Sequence, residues 1–136
     1  MQTDTFLAKK HKKYFLLCHL IFSTKYRRNI FSINVLDSYI KALLKRSFKE
    51  FEILICETDK NHIHFLISYQ PEISISYIVQ QLKSYTTYHL WLKFNNILKT
   101  FYWKRRVLWT KAYFVCSIGN ASPETIKKIY CKPRMM

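Results

Sequence analysis

Residues 14–22 run through aromatic and aliphatic side chains with little interruption, the pattern of a buried strand. Between residues 33 and 50 the spacing changes. Val35, Leu36, Tyr39, Ile40, Leu43, Leu44 and Phe48 recur at three- and four-residue intervals, and Lys41, Lys45 and Lys49 form a second stripe. This is the period of an amphipathic helix, with Ser32 or Asn34 placed to cap its start. Residues 51–57 form a second apolar run and residues 62–69 a third. The polar stretch Thr58-Asp59-Lys60-Asn61 separates them, so the pair reads as a β-hairpin. Pro71 closes the third run. Ser74 then stands where an N-cap belongs, ahead of Ile75, Ile78, Val79, Leu82 and Leu90 in a second helix. A basic, aromatic connector leads to a fourth strand over residues 112–118. A short final helix is expected from Ser122-Pro123-Glu124 into Tyr130, with Pro123 favourable in its first turn.

The predicted order is β-α-β-β-α-β plus a terminal helix. Two helices on one face of a four-stranded antiparallel sheet make an α+β, ferredoxin-like architecture, which leaves the other sheet face open to hold a site. A chain of 136 residues is one domain's worth. The expected division is a single domain over 1–136, with a basic N-terminal arm at 1–13 and a terminal helix and tail at 122–136. A lone glycine, Gly119, argues against Gly-rich phosphate loops.

Charge narrows the partner. Lys and Arg number 23 against 8 acidic residues, a net charge of +15. The basic residues cluster at Lys9, Lys10, Lys12 and Lys13, at Lys25, Arg27 and Arg28, and at Lys104, Arg105 and Arg106. Such an excess binds polyanions through counterion release, and its interleaving with Tyr26, Tyr102 and Trp103 favours nucleic acid over a membrane surface. Cys18, Cys56, Cys116 and Cys131 lack C-x-x-C spacing and read as buried free thiols of a reducing cytosol. The apolar run at 14–22 is too short to span a bilayer and lacks a cleavage site, so no membrane segment is expected.

His62-Ile63-His64 is the sharpest local feature. Strand alternation aims His62 and His64 the same way, roughly 7 Å apart along the chain, and turns Ile63 to the core. Paired imidazoles suit one divalent metal. A hydrogen-bonded pair on a solvated face is the alternative. Two ligands rarely suffice, and Asp59 is the nearest carboxylate. Tyr130 follows Lys127-Lys128, where a phenol could be presented to a neighbouring site. A phenol has a pKa of about 10 and attacks poorly near neutral pH unless the target phosphate is polarised.

Four stretches together carry a resemblance. They are Cys18-His19-Leu20-Ile21-Phe22-Ser23-Thr24-Lys25-Tyr26-Arg27-Arg28, and Thr58-Asp59-Lys60-Asn61-His62-Ile63-His64-Phe65-Leu66. The third is Leu108-Trp109-Thr110-Lys111-Ala112-Tyr113-Phe114-Val115. The fourth is Ser117-Ile118-Gly119-Asn120, followed by Glu124-Thr125-Ile126-Lys127-Lys128. In this order and spacing the chain resembles the HUH single-tyrosine transposases of the smallest bacterial insertion sequences. The resemblance implies a homodimer that binds imperfect DNA hairpins at the ends of a mobile element. It implies a tyrosine that cuts single-stranded DNA, leaving a 5′-phosphotyrosine link and a free 3′-hydroxyl that later rejoins strands. It implies magnesium or manganese as cofactor, with His62 and His64 as ligands, Asp59 as an acidic contributor and Tyr130 as nucleophile. Lys25, Arg27, Arg28, Lys104, Arg105 and Arg106 are the expected DNA contacts.

The C-terminus departs from the family pattern. Ile129 stands where the family places its tyrosine, Tyr130 comes one residue later, and no glutamine follows four positions on. One residue on a helix turns a side chain by about 100°. A single extra nucleotide in the lysine codons would account for both departures, and the plus-one frame of the gene tests this. Three other readings are open: a catalytically impaired relative that still binds hairpins, an RNA-binding module on the same topology, and a hydrolase that uses water as nucleophile.

Overall fold

The computed structural model describes residues 16–45 and 48–120. In chain order they form β1 (Leu16–Ser23), α1 (Asn34–Leu43), β2 (Phe51–Asp59), β3 (His62–Tyr69), α2 (Ile75–Lys93), α3 (Asn95–Tyr102) and β4 (Phe114–Asn120). The strands lie in the order β2-β3-β1-β4, and every pairing is antiparallel. This is the α+β, ferredoxin-like sheet that the hydrophobic pattern predicts. The terminal helix with Tyr130 and the basic arm at 1–13 lie outside the described residues.

Alternation along the central strands divides the sheet into two faces. Cys18, Leu20 and Phe22 of β1 and Ile63, Phe65 and Ile67 of β3 join Leu36, Ile40, Ile78, Leu82, Leu90 and Leu98 in one buried core under the helices. Each such side chain taken from water stabilises the fold by about 1.5–3 kcal/mol. On the opposite face, Leu17 and Leu66 pack with Leu54, Ile55 and Ile118 in a smaller cluster. Trp109 closes one end of the main core. Its ring lies edge-on to Phe22 at 5.5 Å and 6.0 Å from Phe31. Its Nε1 donates to Thr86 Oγ1 at 2.9 Å, and that hydroxyl donates to the Leu82 carbonyl at 2.7 Å.

Several elements differ from their predicted extent; β2, for one, runs on to Asp59 instead of ending at 57. The helix expected over 33–50 stops at Leu43, because the chain must turn back to start β2. Phe48 then stacks on Phe51 at 4.8 Å instead of continuing the helical stripe. The segment after α2 is a further helix, α3, not a plain connector. Phe94 breaks the two helices apart at φ −118°, ψ 37° while α3 buries Leu98 and Tyr102. The fourth strand begins at Phe114 rather than 112, since Lys83 Nζ takes the carbonyls of Thr110 and Lys111 at 2.7 and 3.1 Å. The N-cap expected for α2 holds, Ser74 Oγ accepting from Tyr77 N at 3.1 Å, whereas α1 is capped by neither Ser32 nor Asn34: Ile33 takes the cap position, with no side-chain hydrogen bond.

Candidate functional site

Since Ile63, Phe65 and Ile67 enter the helix-side core, His62 and His64 must face the other way. His62 pairs with Ser23 on β1 and with Asp59 on β2. His64 pairs with Ile21 and Glu57 and is buried, whereas His62 is half-buried. His19 of β1 joins this face, its ring centroid 6.0 Å from that of His64. The face thus gathers three imidazoles, with the carboxylates of Glu57 and Asp59 in register beside them. His19 and Glu57 were not singled out in the sequence. His19 lay hidden in an apolar run, and only the cross-strand register brings it to His64. Among the described residues no three His, Cys, Asp or Glu side chains are arranged to hold a metal ion. Asp59 is exposed at the end of β2 and does not complete a set with the histidine pair.

Beside His62 the surface sinks into a cleft of about 490 Å³ whose walls include Ser23, Arg27, Thr110, Tyr113 and Phe114. Arg27, expected only as a general contact to DNA, therefore shares a cavity with the first histidine. Its backbone is held in the left-handed region at φ 55°, and Asn61 Nδ2 donates to its carbonyl at 3.3 Å. Thr24 N also donates to Asn61 O at 2.9 Å, which ties the end of β1 to the β2–β3 turn. The far wall is fixed from beneath. Lys83, on α2, holds the connector by the carbonyls named above and lies 5.6 Å from the centre of the Tyr113 ring. Burial lowers the Lys83 pKa from its ordinary value. Nothing in the helical pattern marks this lysine, since its partners come from a segment 27 residues away.

The two basic runs meet in space. Lys25 N donates to Leu108 O at 2.8 Å and Thr110 N to Ser23 O at 2.9 Å, so residues 108–110 run alongside 23–25. This sets Tyr26 edge-on to Trp103, with ring centroids 6.3 Å apart. Arg28 Cζ lies 5.8 Å from the Tyr26 ring centre and 5.9 Å from that of Trp103, and Lys25 Nζ lies 5.7 Å from Tyr26. Lys104 and Arg105 follow on the exposed surface, while Arg106 lies over the Trp91 ring at 5.6 Å. Tyr102 beneath is buried, and burial pushes its phenol up to about 12. Burial likewise raises Tyr69.

Solved structures share this architecture. A crystal structure described as a transposase from Deinococcus radiodurans R1 superposes with a TM-score of 0.67 at 26% identity, covering 86% of this chain and 87% of that one. A REP-associated tyrosine transposase bound to a REP hairpin has the same fold, with a TM-score of 0.50 at 15% identity over 86% of this chain and 62% of that one. The fold is thus that of DNA transposases. Residues 12–131 match the family model "Transposase IS200 like", and the chain belongs to that family. Among its relatives are the transposases for insertion sequence element IS200 of Salmonella typhimurium and Salmonella typhi. Each is 28% identical over 113 residues, 81% of this chain and 72% of the relative.

Proposed function

We propose that this transposase cuts and rejoins single-stranded DNA at hairpin-bearing ends of a mobile element through a 5′-phosphotyrosine intermediate. The observation that carries the reading is the cleft lined by both His62 and Arg27, residue types that together would suit one phosphate. Planar guanidinium groups pair with phosphate oxygens in a bidentate fork, which orients the phosphorus for in-line attack. His62 and His64 are the residues that would hold magnesium or manganese, whose role when bound is to draw charge from the scissile phosphate. The described residues supply only that pair, so further ligands would come from DNA, water or the C-terminal residues. The Tyr130 oxygen is the proposed nucleophile. A bond from it to phosphorus forms, the bond to the 3′-oxygen breaks, and the 3′-oxygen takes up a proton. A homodimer is part of the same reading.

Hairpin DNA as ligand draws support from the REP hairpin bound by the protein of the same fold. An RNA-recognition sheet would display aromatic rings on its central strands. Here β1 and β3 show Leu17, His19, Ile21, His62, His64 and Leu66 on that face, which counts against the RNA-binding alternative. No described helix is long and apolar enough to cross a membrane.

The test is to mix the protein with each single strand of the DNA flanking its gene, with magnesium or manganese, and look for a covalent adduct by denaturing electrophoresis. An adduct is expected in the wild type and absent in Tyr130→Phe. In His62→Ala its rate should fall by more than about 100-fold, beyond the loss typical of an outer-shell partner, with hairpin binding retained in a gel shift. Tyr113→Phe should keep the adduct. If it alone abolishes it, the tyrosine in the cleft is the nucleophile. No adduct from wild type, with the gel shift intact, would favour the catalytically impaired relative. Ile129 in the family's tyrosine position is the observation behind that second reading.

A further inference from the structure

Among the described residues four non-glycine residues have positive φ: Tyr26, Arg27, Lys60 and Trp103. Two of them, Tyr26 and Trp103, are the rings that meet between the basic runs. Trp103 is the more unusual, with φ 57° and ψ −126° at the end of α3. That combination belongs to the first central position of a type II′ turn, where glycine is the default because it has no Cβ. The indole placed there is not used to fill the core. It is 61% exposed, and Tyr26 is 47% exposed. A strained backbone that presents a large aromatic ring to solvent points to a role for the ring itself.

The surroundings define what the ring can receive. Tyr26 meets Trp103 in a T-shaped contact, at 68° between ring planes, and braces the indole from the side of the first basic run. Arg28 lies over both rings, and its Nε is buried without a hydrogen-bond partner among the described residues. This places a guanidinium charge directly against the two rings. Lys25 adds a second cation at 5.7 Å from the Tyr26 ring, and Lys104 and Arg105 continue the positive surface. An aromatic platform ringed by cations matches the chemistry of an unpaired nucleotide, whose base stacks while its phosphates meet the charges.

We propose that Trp103, braced by Tyr26 and Arg28, stacks an unpaired base of the DNA strand that leads into the cleft. The site rests on the reading of the chain as a binder of single-stranded DNA, and it adds a specific contact for a nucleotide outside any duplex stem. Arg27 follows Tyr26 directly and lines the His62 cleft, so a strand held on the platform continues towards the histidines. Stacking of this kind tolerates any base. The contact therefore separates unpaired from paired nucleotides and does not read sequence.

The test compares two DNA hairpins with the same stem, one blunt and one with an oligothymidylate tail carrying 2-aminopurine. Wild type should bind the tailed hairpin more tightly and quench the fluorophore. Trp103→Gly should reduce the preference for the tail by roughly 5- to 150-fold and abolish the quenching. Its thermal midpoint should be unchanged or higher, because glycine adopts this backbone conformation freely. Trp103→Phe should keep most of the preference. A Trp103→Gly protein with unaltered tail preference overturns the proposal. So does one that loses affinity equally for both hairpins with a lowered midpoint, which would mark the indole as structural. Should wild type instead bind oligothymidylate through Trp103 and gain nothing from a stem, the platform stands and the hairpin reading fails.

Discussion

Cys18 shows how a single buried group ties the fold to pH. It is wholly enclosed between the sheet and the helices, and burial pushes its thiol from the ordinary 9.0 up to about 12. Cys56 is raised to about the same value, again chiefly by burial. In the unfolded chain both thiols ionise near 9, while the folded protein keeps them protonated. The unfolded state therefore binds fewer protons above pH 9, and stability falls as pH rises from about 9 towards 12. Each such thiol contributes at most about 1.4 kcal/mol per pH unit in that window. A Cys18→Ala protein is expected to lose stability less steeply between pH 9 and 10 in denaturant titrations. Equal slopes would mean that the folded-state thiol is free to ionise. The same burial makes Cys18 a poor nucleophile, whereas Cys116, expected to be buried, is exposed on the edge strand β4.

At the scale of elements, the cleft depends on how β1, the β2–β3 turn and the connector before β4 are joined. The turn is legible in the sequence as a polar interruption between apolar runs, although it narrows to Lys60-Asn61 with Lys60 at φ 46°. The connector is another matter. Thr110 to Ala112 lie beside a strand but give their carbonyls to one ammonium from α2. Replacing Lys83 by Met should release this wall. The expected outcome is faster amide hydrogen exchange over residues 110–113, with the exchange of β1 and β3 unchanged. Slowed adduct formation should accompany it, since Tyr113 and Thr110 line the cleft. If exchange at 110–113 stays as in wild type, the lysine does not hold the wall.

At the scale of the whole molecule, the net charge of +15 acts through where the fold concentrates it. Residues 25–28 and 103–106 are some 75 positions apart in the chain, and the pairing of 108–110 with 23–25 makes them one surface. Binding through that surface should weaken with salt, with a logarithmic slope of about −0.7 to −0.9 for each phosphate neutralised. Lys104→Gln combined with Arg105→Gln removes two exposed charges that touch neither the cleft nor the core. The slope measured by salt titration should shrink by about 1.4 to 1.8. An unchanged slope would take these two residues out of the DNA interface.

Much of this was readable from the chain alone. The hydrophobic periods predict four strands and two helices because alternation and helical spacing record which side of each element meets the core. That His62 and His64 share a face was legible for the same reason, since strand geometry aims alternate residues the same way. The resemblance of four motifs also pointed to the family that residues 12–131 match. What the local pattern does not contain is anything that depends on distant segments. His19 beside His64, Lys83 beneath the connector, Arg27 in the cleft with His62 and Trp103 against Tyr26 are all set by cross-strand register and helix packing. Side-chain periodicity fixes the face a residue occupies, because that follows from backbone geometry one element at a time. Which residues meet across faces is decided only when the sheet closes its register and the helices dock.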